Sequence, residues 1–145
     1  MKELFEIGLV HRGFVLCHYH LKFMDKENQI SGPERDLRGA FVSAISSFVE
    51  TAFSNTSLEY LESGNMLFIF KMGKVQSSDS NFPEPIILYG LVQKPKKKPD
   101  KLVKKFFEIA TPILELFIQK YNGMDFCHLD IFESFVKDLR DFFVK

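Results

Sequence analysis

Apolar and polar positions alternate with a period of two over residues 4–10 and again over 14–23, the pattern of two half-buried strands. His11-Arg12-Gly13 lies between them and supplies a glycine where a tight hairpin needs positive φ. In the second run Val15, Cys17, Tyr19, Leu21 and Phe23 share one face, and Phe14, Leu16, His18, His20 and Lys22 the other. Residues 24–32 are polar, and Ser31-Gly32-Pro33-Glu34 fits a capping box with proline in the first turn. A helix follows, with Leu37, Phe41, Ala44, Ile45, Phe48 and Ala52 at spacings of three and four. It ends near Asn55 and is expected to lie across a sheet.

Residues 58–62 and 66–72 read as a second hairpin around Ser63-Gly64-Asn65. The stretch 73–85, with a Ser/Asp/Asn run and two prolines, predicts a long mobile connection to a strand over 86–92. After a connector over 93–99, Asp100 is placed to cap a helix whose apolar positions are Val103, Phe106, Phe107, Ala110, Ile113, Leu114, Phe117 and Tyr121, with a bend expected at Pro112. Asn122-Gly123 reads as its carboxyl cap. A last helix from about Asp130 carries Phe132, Phe135, Val136, Leu139, Phe142 and Phe143. The order is β-β-α-β-β-β-α-α: an α+β fold with a five-stranded antiparallel sheet, in a single domain over residues 1–145. The aromatic stripe of the last helix must be buried, either within the chain's own core, the commoner outcome, or against a partner or second copy.

Composition adds one feature. Hydrophobic residues at 46% and charged residues at 26% are ordinary for a globular domain, but 17 Phe and no Trp predict an interior built on phenylalanine. Cys17 and Cys127 lie far apart with no metal-type spacing, so two buried free thiols and a cytosolic address are expected. No secretory segment and no apolar run of membrane-spanning length are read in the sequence.

Lys plus Arg equals Asp plus Glu at 19 each, which removes any whole-chain field toward nucleic acid or an anionic bilayer. Locally the balance breaks. Lys94, Lys96, Lys97, Lys98, Lys101, Lys104 and Lys105 crowd one connector and the helix start after it, opposed only by Asp100. Lys96, Lys97, Lys98 and Lys101 are the candidates for an anionic surface, each worth about 1 kcal/mol beside an acidic leaflet; a plain solubilising loop is the alternative. Aromatic residues do not interleave with these lysines, so nucleic acid is not an expected partner.

Reaction chemistry is sparse. His18 and His20 point to one strand face but lack a third ligand, so no metal site is assigned. Cys127 beside His128 is read as structural, because adjacent residues point apart while a nucleophile needs its base in reach. The acids Asp125, Asp130, Glu133, Asp138 and Asp141 alternate with Lys137 and Arg140 as on a wet helix face. The glycines are scattered singly, with no phosphate cradle, and no cofactor is called for.

Ile7-Gly8-Leu9-Val10-His11-Arg12-Gly13 with the strand after it, then Asp36-Leu37-Arg38-Gly39-Ala40-Phe41 on the first helix, resemble the longin domain of vesicle-trafficking SNAREs, adaptor small chains, transport-particle subunits and exchange factors for small GTPases. The resemblance spans nearly the whole chain. It is similar in topology to the roadblock fold too, but that family places a helix before the first strand. The SNARE subgroup continues into a heptad-bearing coiled coil and an anchor, whereas this chain resembles a stand-alone module.

What the resemblance implies is a longin/profilin-like α-β-α sandwich without catalysis, which pairs with itself or with another longin or roadblock domain and engages a small GTPase or trafficking assembly. Phe41, Phe48, Phe135 and Phe142 are the candidate partner anchors. The other reading is a peripheral membrane or anionic-ligand module working through the basic connector 94–105.

Overall fold

The computed structural model describes residues 2–21, 42, 44 and 59–143. Five strands, β1 (Leu4–His11), β2 (Phe14–His20), β3 (Tyr60–Ser63), β4 (Met66–Val75) and β5 (Glu84–Gln93), form one antiparallel sheet in the order β2-β1-β5-β4-β3. Two helices follow: α1 (Asp100–Tyr121) and, after a 3₁₀ turn over Leu129–Phe132, α2 (Glu133–Phe143). The α+β class and the antiparallel sheet are as the periodicity predicts. Most of the first helix predicted around Leu37, with Phe41 and Phe48, lies outside the described residues, as do Lys22 and Phe23.

Hairpin β1-β2 turns on two residues with positive φ, Arg12 at 50° and Gly13 at 83°, the geometry of a two-residue loop that matches strand twist. Arginine there carries about 1 kcal/mol of backbone strain that glycine would not. The regular alternation expected along β2 fails at one point. Leu9 pairs with Cys17 but Val10 pairs with Val15, so Leu16 is an extra residue, a bulge. Leu16 and Cys17 therefore both pack on the helix-covered face, while Val15 packs on the opposite one, which corrects the face assignments of Val15 and Leu16. Strict period-two reading cannot see an inserted residue.

The connection predicted over 73–85 is shorter. Gly73, Lys74 and Val75 pair with Ile86, Pro85 and Glu84, extending both strands and leaving a loop over residues 76–83. Gly73 is not a breaker here. A side chain on it would come within 3.0 Å of Leu114, so glycine lets α1 approach β4. The loop itself is tied down, with Ser77 buried.

The larger core joins Leu4, Ile7, Leu9, Ile86, Leu88, Leu67 and Ile69 on one sheet face to Phe106, Ala110, Ile113 and Phe117 of α1 and to Phe132, Phe135 and Leu139. Each such side chain removed from water contributes roughly 1.5–3 kcal/mol. Phe117 is the hub of an aromatic cluster, with Phe126, Phe132, Phe135 and Tyr121 rings 4.8–6.3 Å away. The phenylalanine-rich interior expected from composition is seen here. On the opposite face, Val10, Val15, Phe70, Ile87 and Tyr89 pack with Val42, which is helical and fully buried. Glu6 is also buried on that face, where its Oε2 accepts a 2.6 Å hydrogen bond from the Tyr89 hydroxyl.

Helix α1 runs through Pro112 without interruption. Its cap differs from expectation: Pro99 is the N-cap and Asp100 the first helical residue, so Asp100 acts on the helix dipole rather than as a capping side chain. At the other end the Asn122 N–H donates to the Ile118 carbonyl and Gly123 takes φ 86°, the expected glycine stop.

Candidate functional site

Antiparallel pairing sorts the connections to two opposite ends of the sheet, roughly 30 Å apart at about 3.3 Å per residue over the ten residues of β5. At one end stand the β1-β2 turn, the β4-β5 loop and the segment after α1. At the other stand the start of β1, the β3-β4 turn, the end of β5 and the start of α1.

The first end is apolar at its surface. Phe14 (58% exposed), Phe82 (68%), Met124 and Leu129 are the large apolar side chains left in solvent among the described residues, and all four lie here. Phe14, Leu16, Phe126 and Leu129, with His11, Arg12 and Cys127, line a half-open cavity of about 330 Å³. The surrounding loops are held by hydrogen bonds. The Gln76 N–H donates to Asn122 Oδ1 (2.8 Å), Gly123 N–H to the Gln76 carbonyl (2.6 Å) and Ser78 N–H to the Met124 carbonyl (2.8 Å).

Arg12 organises the rim. Its Nε donates to Glu84 Oε2 (2.8 Å), its Nη2 to Glu84 Oε1 (2.5 Å) and its Nη1 to Asp79 Oδ2 (3.2 Å), while the Ser77 hydroxyl donates to Asp79. These bonds hold Glu84 below the usual carboxylate range through Arg12, and Asp79 through Ser77 first and Arg12 second. His11, buried, sets its ring edge-on to Phe126 at 5.0 Å. Its Nε2 has no hydrogen-bond partner and stands 3.8 Å from Glu84 Oε1. Burial pushes its pKa below the ordinary histidine value, against the opposing pull of Glu84. The imidazole is thus a neutral member of the cavity wall at physiological pH.

Cys127 corrects an expectation. Cys17 is buried but Cys127 is exposed, in a turn where Asp125 Oδ1 accepts the Cys127 backbone N–H at 2.8 Å. The same carboxylate raises the thiol pKa, so the group stays protonated and is a poor nucleophile at neutral pH. His128 lies beside Asp125, 3.8 Å between Nε2 and Oδ2.

The second end is basic. Lys94, Lys96, Lys97, Lys98, Lys101 and Lys105 surround a depression of about 510 Å³, with Pro95, Leu102, Gln93 and Glu3 completing its wall. Lys94 pairs with Glu62 at 2.9 Å, and Lys105 reaches Glu3 at 3.9 Å. Lys96, Lys97, Lys98 and Lys101 form no ion pair with a carboxylate among the described residues. The four lysines singled out from the sequence are thereby brought together.

The phenylalanine candidates fare differently. Phe135 is 0% exposed and its ring serves the core; Phe142 is half-buried against the same core. His18 and His20 do approach each other, ring centroids 5.0 Å apart, and His20 Nδ1 lies 3.6 Å from Glu6 Oε1. Among the described residues no group of three or more His, Cys, Asp or Glu side chains converges as metal ligands would, and no helix is long and apolar enough to cross a membrane. The apolar end escaped sequence reading. Its one visible signal was Phe82, a large apolar residue inside a Ser/Asp/Asn loop.

No protein-family model matches the chain, and no curated protein matches its sequence.

Proposed function

We propose that this chain is a non-enzymatic, longin-like interaction module, an α-β-α sandwich that works by docking a protein partner. The partner is a second copy, another longin or roadblock domain, or a small GTPase of a trafficking assembly. The order of the described elements supports the family reading, and so does Val42, which brings helical structure from the stretch between β2 and β3 onto the sheet face opposite α1. The observation that carries docking is the apolar end: four large apolar side chains stand in solvent there, and two of them, Phe14 and Leu129, line a half-open cavity sized for one or two partner side chains. Interface energy concentrates in such pockets, because a buried apolar anchor displaces water there while the polar rim excludes it.

The test compares the wild-type chain with Phe14→Ser/Leu129→Ser by light scattering for mass and by binding and nucleotide-exchange assays against small GTPases from the same source. Self-association or GTPase binding that the double variant loses, at unchanged circular dichroism, is the expected result. A monomer that binds none of these partners, with the variant indistinguishable, refutes docking at this end.

The basic depression favours a second reading, a module that settles on anionic surfaces through the 94–105 connector. Flotation with anionic vesicles, repeated with Lys96→Gln/Lys97→Gln/Lys98→Gln, tests it. Loss of vesicle binding in the triple variant is expected, and binding that ignores lipid charge ends it.

A further inference from the structure

The lysines do more than make one region positive: they line a concavity. Six lysines line a depression of about 510 Å³, within the size range of small-molecule sites. Singly charged lipid headgroups in a flat leaflet approach such a depression only at its rim. A compact group bearing several charges enters it and meets Lys96, Lys97, Lys98 and Lys101 at once.

The wall chemistry narrows the class. Carboxylate recognition favours the planar, two-pronged guanidinium, and among the described residues no arginine lines the depression. Ammonium groups are compact point charges that surround a phosphate from any direction. Among the described residues no aromatic ring lines the wall either, which leaves a nucleotide base no stacking partner from them, while Pro95, Leu102 and the lysine methylenes offer a surface for a non-planar carbon ring.

We infer that the depression between the end of β5 and the start of α1 is a binding site for a polyol carrying several phosphates. This inference rests on the second reading above and specifies its ligand. Two carboxylates of the chain compete with that ligand for its lysines. Glu62 holds Lys94 at 2.9 Å, and Glu3 faces Lys105 at 3.9 Å. One Glu3 oxygen is buried without a hydrogen-bond partner, so its interaction with Lys105 is charge alone. Neutralising Glu3 frees Lys105 for phosphate and removes a repulsive charge from the wall, and the site should bind tighter for it.

Isothermal titration with inositol hexakisphosphate, inositol trisphosphate and ATP, at physiological salt, tests the ligand class. Vesicles containing phosphatidylinositol bisphosphate, against phosphatidylserine vesicles of equal surface charge, test the source. The wild-type chain is expected to bind the inositol phosphates well above ATP. Lys96→Gln/Lys97→Gln/Lys98→Gln should weaken binding roughly a hundredfold, at about fivefold per lysine, and Glu3→Gln should tighten it about fivefold. Thermal midpoints check that each variant is folded. Preference for bisphosphate vesicles over serine vesicles identifies a lipid headgroup as the source, and soluble binding alone identifies a free metabolite; both support the site. Equal binding to both vesicle types with no soluble inositol phosphate bound overturns the inference but leaves the anionic-surface reading standing. No binding in any arm removes both, and unchanged affinity in the triple variant moves the ligand away from this depression.

Discussion

Replacing Gly90 by alanine puts the sheet-to-helix packing to a direct test. Gly90 sits in the middle of β5, paired with Ile7 of β1 on one side and Ile69 of β4 on the other, and all three neighbours of the site, these two and Phe106, are fully buried. A methyl group built there lands 2.3 Å from Phe106 Cε2 and 2.6 Å from Cζ, far inside van der Waals contact. The ring cannot swing away, because Phe106 is sealed between the sheet and the rest of α1. Overpacking of a tight core costs about 1–3 kcal/mol, and this approach belongs at the upper end. Alanine recovers about 0.5–1 kcal/mol from its lower backbone entropy in the unfolded chain. The net expectation is a loss of about 2 kcal/mol, or roughly 4–8 °C in thermal midpoint for a chain of this length.

Urea unfolding followed by far-ultraviolet circular dichroism measures it; with no Trp in the chain, indole fluorescence is not an option. The companion variant Phe106→Leu removes the clashing edge of the ring. Gly90→Ala/Phe106→Leu should lose less than the sum of its single changes by about 1 kcal/mol or more, the signature of two groups in contact. A Gly90→Ala protein within about 0.5 kcal/mol of wild type, or strict additivity in the double variant, would show that α1 does not press Phe106 onto β5.

Other expectations concern the apolar end. His11 is held below its ordinary value by burial, outweighing Glu84 and Asp79 while Arg12 adds to the depression, so the unfolded chain takes up a proton first as pH falls. Its share of stability is complete above the ordinary histidine pKa and drains away as pH drops below it toward the folded value. The thermal midpoint should therefore fall between about pH 7.5 and about pH 5.5, and His11→Gln should flatten that slope; equal slopes would place the titration elsewhere. Arg12→Ala keeps the strained backbone but loses its exposed ion pairs, for a loss of up to about 1 kcal/mol, whereas Arg12→Gly relieves the strain and should lie closer to wild type by urea titration. A disulfide-exchange reagent should titrate one thiol per native chain, Cys127, faster as pH rises because Asp125 keeps that thiol protonated near neutrality. Rapid reaction of two thiols, or none lost in Cys127→Ser, would contradict the burial of Cys17.

Local sequence determined the elements that depend on neighbours in the chain. Alternation marked β1 and β2, glycines marked turns at Gly13, Gly64 and Gly123 where φ is positive, and spacings of three and four marked α1 and α2. The lysine cluster was legible for the same reason: its members are close along the chain, and one connector carries most of them to one rim. Three-dimensional packing decided the rest. Whether Gly73 breaks a strand or admits a helix depends on Leu114, forty-one positions away; whether Phe135 is an anchor or core depends on Phe117 across a helix pair. The apolar end is assembled from Phe14, Phe82, Met124 and Leu129, which come from three separate connections and share one end of the fold only because antiparallel pairing returns those connections to it. Periodicity reports which face of its own element a residue occupies, whereas a site made from several elements exists only once hydrogen-bonded register and core packing have fixed where those faces end.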